Sequence, residues 1–446
     1  MGMRNQHLAL ALVMGNNIGS HHGAWRMPHT DVGSFTDLDA AVRQARTAER
    51  GGFQFVFMPD RLFMQADLAA APPVFGMDPI VTLSALAQAT ERIGLVGTMS
   101  TTFTEPYVLA RHLKALDLYS HGRAGWNAVP SYEPDAFANF GRPLPAREEK
   151  YERLHEVVHI VQALWGSWGQ GAGRPDKSGA FADPAQVRPV DLQGRHVAAR
   201  GPLPVPPSEQ GQPVIVMPAS SGYGLQAAGM YADVVIGMPM TIEEGRAQRD
   251  VVRRATEAAG RDPDEVTFLA FTGFSLGDSQ REALDRHRAL DDRADPEQAM
   301  ARLGALLGLR HGFAHPDEAL SPAELASARP RLAYARSQQA FDLARAGWSP
   351  RDIVAHGVLE PYPFVTGTGE QAADHLQAWF RAGAADGFMV GVDDFHDGID
   401  DVVDRIVPIL RARGLFPEDH VGTTLRDHLG LPPRYGLDPR VTGNGA

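Results

Sequence analysis

The chain of 446 residues contains no cysteine, which excludes disulfides, thiolate nucleophiles and cysteine-held metals. Positive charge is in short supply: 42 Lys and Arg stand against 54 Asp and Glu, a formal net charge of -12. A nucleic-acid surface needs clustered cations, so that function class is set aside. No apolar run approaches the roughly 20 residues of a membrane span. The N-terminal apolar run, 7–14, is too short for a signal peptide, and Asn16 and Asn17 follow at once. Neither a G-x-S-x-G elbow nor a Walker A sequence is present. A cytoplasmic globular protein, bound neither to nucleic acid nor to membrane, is the expectation.

What is present is alternation. Apolar, β-rich runs at 7–14, 53–58, 93–98, 122–131, 213–217, 232–238, 266–276 and 387–392 are separated mostly by segments of helical period. Eight β/α units predict an α/β fold, a (β/α)8 TIM barrel. Periodicity does not distinguish closure from a doubly wound sheet, which stays open as the competing topology. One domain is expected over 1–432, with a loop insertion at about 169–212, a helical insertion at 278–356 and a tail at 433–446. The loop insertion is rich in Pro and Gly and too long for an ordinary connection.

In such folds ligands bind at the C-terminal ends of the strands. Those ends carry His21 and His22, Asp60, Thr98, Asn127 and Ser131, and Ser220 and Ser221. The set is rich in hydroxyls and poor in metal ligands, which suits a polar, planar cofactor bearing a phosphate. Ser220-Ser221-Gly222 lies between a strand and a helix, where backbone N–H groups can hold an anion. Arg147 and Tyr151, one helical turn apart, either join that phosphate or are an exposed Arg and its neighbour. His21 is either a proton donor near neutral pH or a packed loop residue. Residues 155–159, His-Glu-Val-Val-His, match the HExxH zinc pattern. No third ligand follows at metalloprotease spacing, and Leu154, Val157, Val158 and Val161 make this segment an ordinary amphipathic helix, so no metal is expected.

Taken together, HHGAWRMP (21–28), TAERGGFQFVFMPD (47–60), ATERIGLVGTMSTTFTEPYVLAR (89–111), LDLYSHGRAGWNAVPS (116–131), NFGR (139–142) and KYERLHEVVHIVQALWGSW (150–168) resemble one family. GPLPVPPSEQGQPVIVMPASSGYG (201–224) and RGLFPEDHVGTTLRDHLGL (413–431) continue the match. The sequence is similar to the flavin-dependent monooxygenases of the bacterial luciferase-like superfamily, in the branch of the nitrilotriacetate, EDTA and dibenzothiophene-sulfone enzymes. The resemblance implies a TIM barrel that uses FMN as FMNH2, supplied by a separate NAD(P)H:flavin reductase, with O2 as co-substrate. A small organic substrate would be oxygenated through a flavin C4a-(hydro)peroxide. A homodimer or homotetramer is the family expectation. By position, Asp60, Thr98, Tyr151 and Ser221 match flavin-binding residues, Asn127 lines the same pocket, and His21 matches the histidine near the reactive face. Arg147 and Ser220 are expected beside the phosphate.

The chain departs from the family pattern at three places. Arg147 replaces a common histidine, Pro130 replaces a threonine after the fourth strand, and His356 is displaced so that Tyr362 stands where relatives carry a histidine. Three alternatives remain: a deazaflavin (F420)-dependent oxidoreductase on the same fold, a flavin-binding protein without catalysis, and a zinc hydrolase using 155–159.

Overall fold

The computed structural model describes residues 7–64, 67–173, 177–219, 222–313 and 315–437. Within them the apolar runs form nine parallel strands: β1 (Ala9–Val13), β2 (Phe55–Met58), β3 (Gly94–Ser100), β4 (Ala124–Val129), β5 (Val214–Pro218), β6 (Val234–Gly237), β7 (Thr267–Leu276), β8 (Phe364–Gly367) and β9 (Gly387–Val392). β1 to β7 pair in sequence order, and β9 pairs with both β7 and β1. Eight strands thus close into a TIM barrel, which removes the doubly wound alternative. β8 is additional. It pairs with the upper half of β7, at Gly273–Leu276. Pro361 and Pro363 give this stretch the look of a loop in sequence.

Side chains alternate across the barrel wall, as the period of two requires. Phe55, Phe57, Val96, Val214, Val216, Val234, Ile236 and Met389 fill the interior. Val56, Leu95, Ile215, Val235 and Phe388 face the helices instead. Thr98 shares the parity of Val96 and is set opposite Asn127 in register. Both therefore point inward, one layer above the apolar filling.

The helices that position the site are α1 (Leu38–Arg50), α2 (Pro79–Ala89), α3 (Pro106–Tyr119), α4 (Arg147–Trp165), α5 (Tyr223–Tyr231), α6 (Ile242–Ala258), α7 (Gln280–Asp291), α8 (Pro296–Leu307) and α9 (Gly369–Arg381). Arg123 locks the α3–β4 corner to the end of α2, donating to the carbonyls of Ala87, Thr90 and Ile93. A cation on the last carbonyls of a helix is favourable. The closing helical segment runs from Gly398 to Ala412 and contains a π turn at Val402–Ile406, just ahead of Pro408. The wider turn accommodates a residue that lacks an N–H donor.

The bottom of the barrel is plugged by the segment after the closing helix. Leu425, Leu429 and Leu431 join the interior cluster. A Cβ at Gly94 would lie 2.5 Å from Leu425, so glycine there makes room for the plug. Fully buried Arg426 donates to Asp233 at 3.0 Å. Packing continues past the expected end at 432: the Arg434 N–H donates to the Gln210 carbonyl.

The insertion at 169–212 carries a short antiparallel hairpin, Leu192–Gln193 with Ala198–Ala199. The 278–356 stretch holds α7, α8 and three shorter helices, Pro322–Ser327, Ala335–Arg345 and Pro350–Ala355. Pro322–Ser327 and Pro350–Ala355 have six residues each and start at Ser-Pro caps, which a search for long periodic runs passes over. The insertion has its own small core of Leu303, Leu307, Ala340 and Ile353.

Candidate active site

The strand ends converge at the mouth of the barrel. Asn127 Nδ2 donates to Thr98 Oγ1 at 2.8 Å, while Asn127 Oδ1 is buried with no partner among the described residues. A buried amide oxygen left this way is costly unless a ligand or water donates to it. Ser131, expected beside Asn127, is turned into the wall, where its hydroxyl meets Ser100 at 2.9 Å. Pro130 lies in the loop directly after β4.

Asp60 ends the β2 connection in a half-buried position. Burial, then repulsion from Asp78, pushes its carboxyl up to about 6, although the Arg61 N–H partly offsets this. An acid titrating near neutral pH at a barrel mouth is a functional-site signature.

Arg147 and Tyr151 stand on the first turns of α4 and face the start of α5. Gly222 caps α5 with φ 55°, a conformation glycine adopts freely. A Cβ at Gly224 would come 3.3 Å from the Tyr151 hydroxyl, and one at Gly222 would come 3.8 Å from the Arg147 guanidinium. Two glycines thus leave a cradle between a cation, a phenol and a helix start. Tyr223 stacks on Tyr151 with ring centroids 5.6 Å apart and bonds Glu148, which steadies the α4 side. Ser220 and Ser221, expected as phosphate ligands, lie outside the described residues. A flavin phosphate and ring fit these features: the cradle suits the phosphate, and the Asn127 oxygen suits a ring N–H.

His21 lies on the other side of the mouth. Its Nδ1 accepts the Gly23 N–H at 3.0 Å, so the proton of the neutral ring is on Nε2, which donates to Asp291 Oδ1 at 3.2 Å. Burial opposes a charge on this ring, but the Asp291 bond and the charges of Asp291, Glu360 and Asp393 more than compensate and raise its pKa above the ordinary value. Protonation would cost the Gly23 bond.

Asp291 and His287, at i and i+4 on α7, come from the helical insertion. Their joint arrival at His21 was not foreseen, because nothing in the chain's order links position 21 to position 291. His287 meets His21 edge-on at 5.0 Å. It is fully buried, which pushes its pKa down and keeps it neutral. Tyr362 stacks on Phe271 at 5.5 Å, and burial raises its pKa, so it stays protonated beside Ser20. His356 is edge-on to Trp348 at the end of Pro350–Ala355, and burial lowers its pKa to about 4.

His21, His287 and Glu360 bring ligand atoms within 4.8 Å of one another. The Gly23 bond argues against a cation there. With the proton on Nε2, His21 has no lone pair to offer the other two. At 155–159 the carboxylate of Glu156 accepts the N–H groups of Arg195, His196 and Val197 at 2.8, 2.7 and 3.0 Å. It clasps the insertion hairpin, so a zinc enzyme's free base is not available there.

Comparison with known proteins agrees with this geometry. The family described as luciferase-like monooxygenase matches residues 14–386. A dibenzothiophene-sulfone monooxygenase from Rhodococcus erythropolis (strain XP) is 34% identical, over 96% of this chain and 97% of that protein. Nitrilotriacetate monooxygenase component A from Aminobacter aminovorans is 32% identical, over 93% of this chain and 94% of its own length. The structure of EDTA monooxygenase from Chelativorans sp. BNC1 superposes with a TM-score of 0.81 at 28% identity, covering 96% of this chain and 99% of that one. The chain belongs to the luciferase-like monooxygenase family and is a flavin-dependent monooxygenase.

Proposed function

We propose that the chain is the oxygenase component of a two-component system. It takes FMNH2 from a separate NAD(P)H:flavin reductase and, with O2, oxygenates a small organic substrate. The observation that carries this reading is the cradle between Arg147, Tyr151 and Gly222–Gly224, together with the unpartnered oxygen of Asn127. The bound flavin would supply the oxygen-activating chemistry. The chain's own residues do the rest. Arg147 and Tyr151 bind the phosphate, with Ser220 and Ser221 completing it. Thr98 orients Asn127 toward the ring, and Asp60 lines the same mouth. His21 holds a proton at Nε2, shared with Asp291. The helical insertion covers the mouth and keeps water out.

The separate reductase is supported by the nitrilotriacetate relative, which is named as one component of its monooxygenase and so implies another. The dibenzothiophene-sulfone and nitrilotriacetate relatives direct the substrate reading to compounds with C–S or C–N bonds. The cytoplasm, where NAD(P)H is available to a reductase, is the compartment this reading requires. A homodimer or homotetramer completes it. Deazaflavin enzymes are a weaker alternative. An F420-dependent reductase from Methanopyrus kandleri superposes with a TM-score of 0.56 at 16% identity, a likeness of fold alone.

The test is turnover with a flavin reductase, NADH, FMN and a panel of organosulfur and amine compounds under 18O2. The reading expects a substrate that gains one 18O atom. Turnover that needs reduced F420 and no O2 would overturn it.

A further inference from the structure

Tyr223 is the first residue of α5, set between the two glycines of the cradle. Its side chain crosses to α4, where the ring stacks on Tyr151 with centroids 5.6 Å apart and planes 25° from parallel. The hydroxyl donates to Glu148 Oε1 at 3.2 Å, and the Arg147 guanidinium carbon lies 5.9 Å from the ring centroid. Arg147, Glu148 and Tyr151 all stand on the first turns of α4. One phenol therefore spans the gap between the helix that supplies the cradle's cation and the helix start that supplies its N–H groups.

The two stacked rings are not equivalent. Tyr151 packs against the main core, whereas Tyr223 is 37% exposed. Tyr151 is the inner wall of the cradle and Tyr223 the outer one.

Charge sharpens this outer edge. Glu148 is exposed and has no ion-pair partner among the described residues, while Glu152, one turn on, is engaged by Arg195 and His196. The Glu148 charge, then its hydrogen bond, raises the Tyr223 pKa, so the phenol stays protonated and keeps donating. An anionic group reaching out past Tyr223 would meet the Glu148 carboxylate, and like charges brought together disfavour a wrong partner.

We propose that Tyr223 and Glu148 close the outer end of the cradle, so that the site accepts a flavin ending in a single phosphate and rejects one extended by a second phosphate and adenosine. Specificity then comes from obstruction as well as attraction. Arg147 and Tyr151 hold the first phosphate, and the Tyr223 ring and the Glu148 charge stand where a dinucleotide would continue. This deepens the FMN reading and rests on it. The bridge selects the cofactor and takes no part in the oxygen chemistry.

Flavin-free full-length protein is titrated anaerobically with reduced FMN and, separately, with reduced FAD, followed by flavin fluorescence. The wild-type chain is expected to bind reduced FMN about a hundredfold or more tightly than reduced FAD. Tyr223→Ala removes the ring, and Glu148→Gln removes the charge while keeping an acceptor. Each should tighten reduced FAD by about tenfold, and the double variant by more. The gain is the decisive sign, because damage to the cradle would weaken both flavins and strengthen neither. Glu148 is exposed, so Glu148→Gln carries the test if Tyr223→Ala does not fold. Equal binding of the two flavins by the wild-type chain, or reduced FAD bound no more tightly by the folded variants, would overturn the proposal. Binding of neither flavin by the wild-type chain would sink the flavin reading itself.

Discussion

His21 and Asp291 are 270 positions apart, yet the ring Nε2–H of one donates to Oδ1 of the other at 3.2 Å. One residue follows the first barrel strand, and the other ends the first helix of the insertion. The bond therefore ties the insertion to the loop after the first barrel strand. Arg286, one residue before His287 on the same helix, adds a second tie by donating to the buried Asp393 just after β9.

Asp291→Asn removes the charge that raises the His21 pKa. The expected result is a lower His21 pKa, read by NMR of the labelled imidazole. The stabilising contribution of the wild-type pair is full below the unfolded histidine value of about 6.5 and fades as pH rises through the folded one. An unchanged His21 titration in Asp291→Asn would refute the coupling. His287, His22, Glu360 and Asp393 also face or flank His21, so each needs assignment in that spectrum.

Arg147→Ala and Tyr151→Phe each remove a donor from the cradle before α5. Charge-assisted bonds to phosphate contribute about 1.5–3 kcal/mol. Arg147→Ala should therefore weaken FMNH2 by roughly ten- to a hundredfold, and Tyr151→Phe by less. Riboflavin, which has no phosphate, should be insensitive to both. Equal losses for FMN and riboflavin would show that these residues do not meet the phosphate.

Asp60 is kept near neutral pH at a cost to the fold. Its carboxyl titrates at about 6 rather than 3.8, so its contribution to stability is greatest below pH 3.8 and declines as pH rises to about 6. Asp60→Asn should stabilise the protein by about 1–2 kcal/mol at pH 7.5, a figure discounted for its partial exposure. At pH 4 the gain should vanish. Denaturant melts at the two pH values make the comparison.

Arg426→Met tests the bottom plug. Asp233 is fully buried. Burial raises its pKa, but Arg426, Arg434 and Arg261 bring it down to about 2. Removing one partner of a buried ion pair costs about 3–5 kcal/mol, so a large fall in denaturation midpoint is expected. The wild-type pair stabilises above the unfolded carboxylate value of about 3.9 and loses its effect as pH falls toward 2. A loss of stability under about 1 kcal/mol, well short of that cost, would contradict this role.

Glu156→Ala separates clasp from zinc base. The three N–H groups from 195–197 lose their acceptor. Stability should drop by about 1–3 kcal/mol, and zinc or a chelator should leave the activity of wild type and variant unchanged.

The barrel was legible because its signal is local. Eight runs of β-branched and apolar residues, most of them ended by Gly, Pro or small hydroxyls, mark buried parallel strands. Thr98 and Asn127 followed from the same reading, since a polar residue at a buried strand end has few other uses. Closure was not legible: it depends on β6 and β9 both reaching β7, and no local pattern records that. The insertion side of the site was hidden for a related reason. His287 and Asp291 read as positions on an ordinary amphipathic helix, and only the docking of α7 turns them toward His21. Residues 155–159 are a case in the opposite sense, a motif already set aside in sequence for want of a third ligand. The motif was complete as a string, while the clasp that occupies Glu156 is formed by a hairpin about 40 residues later.

The central claim is that reduced flavin binds at the mouth between the cradle and Asn127. Anaerobic titration of flavin-free protein with FMNH2, followed by flavin fluorescence, tests it directly. The account predicts saturable binding that Arg147→Ala weakens at least tenfold and that Glu156→Ala leaves unchanged. Absence of binding by any reduced flavin, or binding indifferent to Arg147 and Asn127, would contradict it.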